Sequence, residues 1–160
     1  MTCRARSWSV SGDRYLVTMA GIIASADIDI AAPRERVWAA LTDPEEIAKY
    51  MFGANVESDW QRGSRITWTG EWEGRPYQDR GEILEIDPPK RLVVSHFSPL
   101  TGQEDRPENY HTVTYDLTDP DGGTHVALSQ DNNGDQDEAD RASANWAMML
   151  SALRETVEKG

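Results

Sequence analysis

From Asp135 to Lys159 apolar residues recur in steps of three and four: Ala139, Ala142, Trp146, Met149, Leu150, Leu153 and Val157. Residues so spaced share one face of an α-helix, so these positions form a single stripe. Asp137, Glu138, Asp140, Arg141, Ser151, Arg154, Glu155 and Glu158 fill the opposite face. Asp135, followed three residues later by Glu138, supplies a capping pair. The pattern predicts a helix of about 23 residues, roughly 35 Å long. A stripe of that length containing a Trp needs a broad apolar surface to cover it.

Between 54 and 131 the period shortens to two. Ile66, Trp68 and Trp72 alternate with Arg65, Thr67, Thr69 and Glu71 in a strand predicted over 64–73, as expected of a sheet with one covered face. Further strands are predicted at 24–30, 54–59, 78–86, 90–97, 110–117 and 124–131. Turn formers separate them: Arg62-Gly63, Gly74 to Pro76, Asp87-Pro88-Pro89, the polar loop 98–109, and Asp119-Pro120-Asp121-Gly122-Gly123. Two short helices follow the first strand. Pro33 suits a first helical turn, Val37, Trp38 and Leu41 follow at helical spacing, and Asp43-Pro44 ends one helix and opens the next, which runs to about Lys49. Tyr50, Met51 and Phe52 are then exposed unless they cover something.

Residues 1 to 21 stand outside this pattern. Arg4, Arg6 and Arg14 precede an apolar run in the manner of a secretion signal, but Asp13 and Thr18 interrupt it. The expectation is a ragged extension or an over-called start, with Met19 as the alternative first residue, and one domain over 22–160. The chain has 160 residues, and 28 acids against 16 bases give a net charge of -12. That balance argues against binding a nucleic-acid backbone or an anionic membrane surface through charge. The single cysteine, Cys3, excludes an internal disulfide and any multi-cysteine metal site, as expected in the cytoplasm. No apolar run approaches the ~20 residues of a membrane span.

Strand, two short helices, a run of antiparallel strands and a long last helix is the helix-grip order, an α+β fold. Specific segments carry a resemblance: Ile30-Ala31-Ala32-Pro33 with Val37-Trp38 and Leu41-Thr42-Asp43-Pro44; the run from Gly81 through Asp87-Pro88-Pro89 to Leu92; Val113 to Leu117; Gly123-Thr124; and Asn145-Trp146 with Leu150 and Leu153. Together they resemble the START-like or SRPBCC superfamily. Within it they are similar to the family of the C-terminal domain of the activator of heat-shock protein 90 ATPase. Asn145 departs from the Gly usual before the Trp. The resemblance implies a curved antiparallel sheet of about seven strands, with the long helix packed on its concave face and an apolar cavity between them. It also implies a class of role, since superfamily members hold lipids, sterols, polyketides or other hydrophobic ligands there and some catalyse cyclisation. It implies no universal catalytic residue.

The three histidines supply candidate chemistry. A symmetric hairpin between the strands at 90–97 and 110–117 pairs Val94 with Val113, Leu92 with Tyr115, and His96 with His111. Carried through the next hairpin, the same reasoning pairs Tyr115 with Val126, Val113 with Leu128, and His111 with Gln130. The expectation is a polar row of His96, His111 and Gln130 at one end of the concave face, able to hold a ligand carbonyl or hydroxyl. His125 alternates to the other face, and no third donor has metal-ligand spacing, so no metal or cofactor is expected. Of the six tryptophans, Trp38, Trp68, Trp72 and Trp146 are predicted to point inward, a surplus that suits an amphipathic cavity. Met149 joins them from the helix. Acid pairs such as Glu82 with Glu85, or Asp131 with Asp135, are read as solvated outer-face or loop groups.

Three functions fit. The first is binding of a small hydrophobic or aromatic ligand, and the second a stress-linked, co-chaperone-like domain recognising a basic partner patch. The third, an aromatase- or cyclase-type enzyme, would use His96 or His111 as acid and base. Monomer and homodimer are both compatible with the open sheet edges.

Overall fold

The computed structural model of the chain describes residues 6–8, 17–19 and 21–159. Strands β1 (Arg6–Trp8) and β2 (Val17–Met19) pair antiparallel as a two-stranded ribbon. The remainder of the 1–21 extension, and with it the question of the first residue, lies outside the described residues.

The main sheet is antiparallel and seven-stranded. Its strands are β3 (Ile22–Ile30), β4 (Asn55–Ser58), β5 (Arg65–Trp72), β6 (Arg75–Asp87), β7 (Arg91–His96), β8 (His111–Thr118) and β9 (Thr124–Asn133), in the order β3-β9-β8-β7-β6-β5-β4. Helices α1 (Arg34–Thr42) and α2 (Pro44–Tyr50) connect β3 to β4, and α3 (Gln136–Lys159) closes the chain. This is the expected α+β helix-grip architecture. Asp43 starts α2 by accepting a hydrogen bond from Glu45 N. Tyr50 ends it, buried, with its hydroxyl donating to Ala40 O at 2.8 Å and tying the two short helices together. Its neighbour Phe52 is left exposed.

The capping pair forms as the sequence suggests. Asp135 Oδ1 accepts from Glu138 N at 2.8 Å, and Glu138 Oε2 accepts from Gly134 N at 2.6 Å. Ala139, Met149, Leu150, Leu153 and Val157 are buried, and α3 packs on β3, with further contacts to β9 and both short helices. Asn145 is exposed, so its departure from the family pattern costs the helix no packing. Leu150 and Leu153 join Ile83, Leu92, Val94, Val113, Tyr115 and Leu128 from the concave face in one core cluster.

Two irregularities shape the sheet. The first half of β6 pairs with β5 and its second half with β7, so the strand turns a corner near Gly81. Beyond it a bulge separates the pair Ile83–Val94 from the pair Glu85–Val93. The extra residue swings Glu85 to the convex side, where it is 3% exposed and accepts from Arg91 Nε at 3.1 Å. Arg91 Nη1 also donates to Asp116 Oδ1 at 2.8 Å. Glu85 is therefore a buried ion-pair partner and not the solvated acid expected. Asp131 corrects the same expectation: it is buried and accepts from Thr112 N.

Candidate ligand-binding site

The β7–β8 register pairs Leu92 with Tyr115, Val94 with Val113 and His96 with His111, as the apolar pairs require. The next hairpin differs from expectation. Val113 faces Gln130, Tyr115 faces Leu128 and Leu117 faces Val126, two residues from the predicted register. The turn is two residues longer than expected: Asp119 Oδ1 accepts from Gly122 N, and Thr124 at the start of β9 donates its hydroxyl to Ala32 O at 2.7 Å. A slip of two keeps every side chain on its face, so the inward set survives while the polar row does not. Gln130 sits opposite Val113 and accepts from Trp146 Nε1, which gives the half-buried indole its partner.

Between the concave face and α3 lies a cavity of about 160 Å³. Trp68, Val94, His96, Val113, Tyr115 and Trp146 line it, all of them among the residues read from the sequence. The other candidates stand outside its wall. Leu128 and Met149 are buried in the core, Trp38 packs against that core, and Gln130 acts through Trp146. His111 stacks on His96 with ring centroids 6.5 Å apart. Trp72 is the clear miss: it has the inward parity but pairs with Arg75 at the end of the β5–β6 hairpin, where it is 60% exposed. Replacing Trp72 by alanine is expected to change stability by less than about 0.5 kcal/mol in urea denaturation, as for other surface substitutions.

Four wall residues escaped the sequence reading: Met51, Ala54, Tyr77 and Asp79. Asp79 changes the chemistry most. It faces Trp68 across β5 and β6, and its Oδ2 lies 2.8 Å from His96 Nε2. A carboxylate accepts, so Nε2 is the nitrogen that donates, and in the neutral tautomer this selects, Nδ1 is an acceptor. His111 Nδ1 lies 2.8 Å from the backbone carbonyl of Asp131, so it donates there and leaves its Nε2 bare. Trp68 packs against His96 in a T-shaped contact, ring centroids 5.0 Å apart. Burial pushes the pKa of Tyr115 well above the usual phenol range, and that of Tyr77 is raised by burial and then by the charge of Asp79. Both phenols therefore remain neutral donors at physiological pH. The signal for Asp79 was present in the sequence: with Glu73-Gly74 as a two-residue turn, Trp72 meets Arg75 and Trp68 meets Asp79.

Other features are less suited to an apolar ligand. A wider groove of about 780 Å³ under the loop after β7 is walled by charged groups, among them the Arg80–Asp105 pair. His125 lies on the convex side between Asp27 and Asp29, at 3.2 and 2.7 Å.

The model of the family described as Activator of Hsp90 ATPase homolog 1-like protein matches residues 31–158. The chain belongs to this family. A structure similar to it is the solution structure of ChR145 from Cytophaga hutchinsonii, 48% identical, covering 86% of this chain and 94% of that one, with a TM-score of 0.76. The Aha1 dimer from Colwellia psychrerythraea is 19% identical with a TM-score of 0.68, covering 86% of this chain and 96% of that one. CalU16 from Micromonospora echinospora is 22% identical with a TM-score of 0.65, covering 98% of this chain and 85% of that one. These last two share the fold. No curated protein matches the chain. Among the described residues no helix of this family member is long and apolar enough to cross a membrane.

Proposed function

We propose that the protein binds a compact, ring-bearing hydrophobic ligand in the cavity between sheet and α3, as a cytoplasmic binding module. The observation that carries this reading is a cavity of about 160 Å³ walled by Trp68, Tyr77, Tyr115 and Trp146, with one polar pair, Asp79 and His96, in its lining. Binding sites for small molecules combine apolar walls with a few placed polar groups in this way. The size is close to that of the roughly 150 Å³ engineered cavity that admits benzene, so one ring with a short arm fits. In ¹H–¹⁵N spectra, added benzyl alcohol is expected to shift the indole N–H signals of Trp68 and Trp146 in a saturable way and leave that of Trp72 unmoved. Shifts confined to Trp72 and other exposed groups, or none at all, would refute the reading.

A second reading rests on the family description and on the acidic balance of -12. It is a co-chaperone-like domain that docks a basic partner patch through its surface, as a monomer or homodimer. Such docking would weaken steeply with added salt, whereas occupancy of the cavity by a neutral ring would not.

A further inference from the structure

Resting on the reading that the cavity holds a compact apolar ligand, we infer that this ligand carries a protonated amine, received by Asp79 and His96, and that the cavity refuses anions. The polar end of the wall offers an acceptor that no donor meets. Asp79 Oδ2 is bonded to His96, but Oδ1 is buried without a hydrogen-bond partner. A buried carboxylate oxygen without a donor is costly, and a bound N–H relieves that cost. The Cβ–Cγ torsion of an Asp is broad, so the carboxylate can reorient to meet a bound N–H. In the neutral imidazole, Nδ1 of His96 is a second acceptor.

Charge points the same way. Among the described residues no Lys or Arg lines the cavity, and Arg80, the next residue after Asp79, is paired with Asp105 at 3.1 Å. Asp79 is bonded instead to the imidazole of His96, which is not a permanently charged group. The pKa of Tyr77 is raised by burial and then by the charge of Asp79, in keeping with this. Trp68, Tyr77, Tyr115 and Trp146 line the space, and aromatic faces attract a cation. A carboxylate or phosphate head would meet the like charge of Asp79, which disfavours fatty acids entering head first. The net charge of -12 attracts cations to the protein as a whole.

Three probes of one size separate the possibilities: benzylamine, benzyl alcohol and benzoate, titrated calorimetrically into the full chain near neutral pH. Benzylamine is expected to bind about tenfold or more tighter than benzyl alcohol, and benzoate more weakly than either. Asp79→Asn is expected to bring amine and alcohol to within about threefold of each other, whatever it does to the absolute affinity for either. Alcohol binding without preference for the amine, benzoate binding as tight as benzylamine, or a preference that survives in D79N would overturn the inference and leave the cavity reading intact. Failure of all three probes would overturn both. Should D79N fail to fold, the order of the three affinities in the native protein decides by itself.

Discussion

Leu150→Ala is expected to destabilise the domain by about 4 kcal/mol, within the 2.7–5.0 kcal/mol range measured for leucine truncation in a packed core. Leu150 has no exposed surface and belongs to the cluster that joins α3 to the concave face. Truncation removes the transfer energy of the lost carbons and leaves a void. The void is hard to close here: Leu153 and Val157 hold the same face of α3 in place, and the strands opposite are fixed by their ladders. A loss of that size lowers the melting temperature by roughly 12 °C in a chain of this length. Met148, two positions back and 60% exposed, is the internal control, expected within about 0.5 kcal/mol of the native protein as alanine. Urea denaturation of the two variants measures both. A Leu150 cost below about 1 kcal/mol would mean that α3 does not close the core.

That prediction needed little beyond the sequence, because α3 is written in a local code. A stripe at helical spacing, a capping pair and a polar back specify the helix, and the next question, what covers the stripe, has one answer when every other long segment alternates with period two. Registers are less local. The His96–His111 pair was legible because Leu92 and Val94 have apolar partners in only one sensible alignment. In the β8–β9 hairpin the apolar pattern fits equally well two residues away, and the observed register goes with contacts far away in sequence, such as Thr124 bonding to Ala32 92 positions distant. Trp72 was misplaced because alternation reports which face a side chain takes and not where cover ends. Asp79 was overlooked because a carboxylate at an inward position contradicts the usual pattern. Such contradictions are where function is to be sought. Here the contradiction is resolved by His96, whose partner could be seen only after both hairpin registers were fixed.

Gly81→Ala is expected to cost about 3 kcal/mol or more and to abolish cavity binding along with it, since both depend on the corner of β6. A Cβ at this position would lie 1.7 Å from Ser95 O and 2.6 Å from Ser95 C, atoms of the neighbouring backbone that no rotamer change can move. Relief requires pulling β6 from β7 between the Arg80–Phe97 bridge and the Ile83–Val94 pair. The bond from Glu82 N to Ser95 Oγ, at 3.0 Å, would be stretched with them. Glycine in a strand commonly marks such a close backbone approach, and here the approach has a second consequence. The site has no side chain beside His96, whose ring spans the corner to reach Asp79 at 2.8 Å. Widening the corner separates the pair and removes the polar end of the cavity. The expected result is a melting temperature lower by roughly 10 °C and loss of the benzyl alcohol shifts at Trp68 and Trp146 even at temperatures where the variant is folded. Gly63→Ala separates this from the general cost of replacing a glycine. Its φ is +85°, so alanine is strained there, but nothing lies within 4 Å of the added carbon, and cavity binding should persist. If Gly81→Ala melts like the native protein and still binds, the corner is not what holds Asp79 against His96.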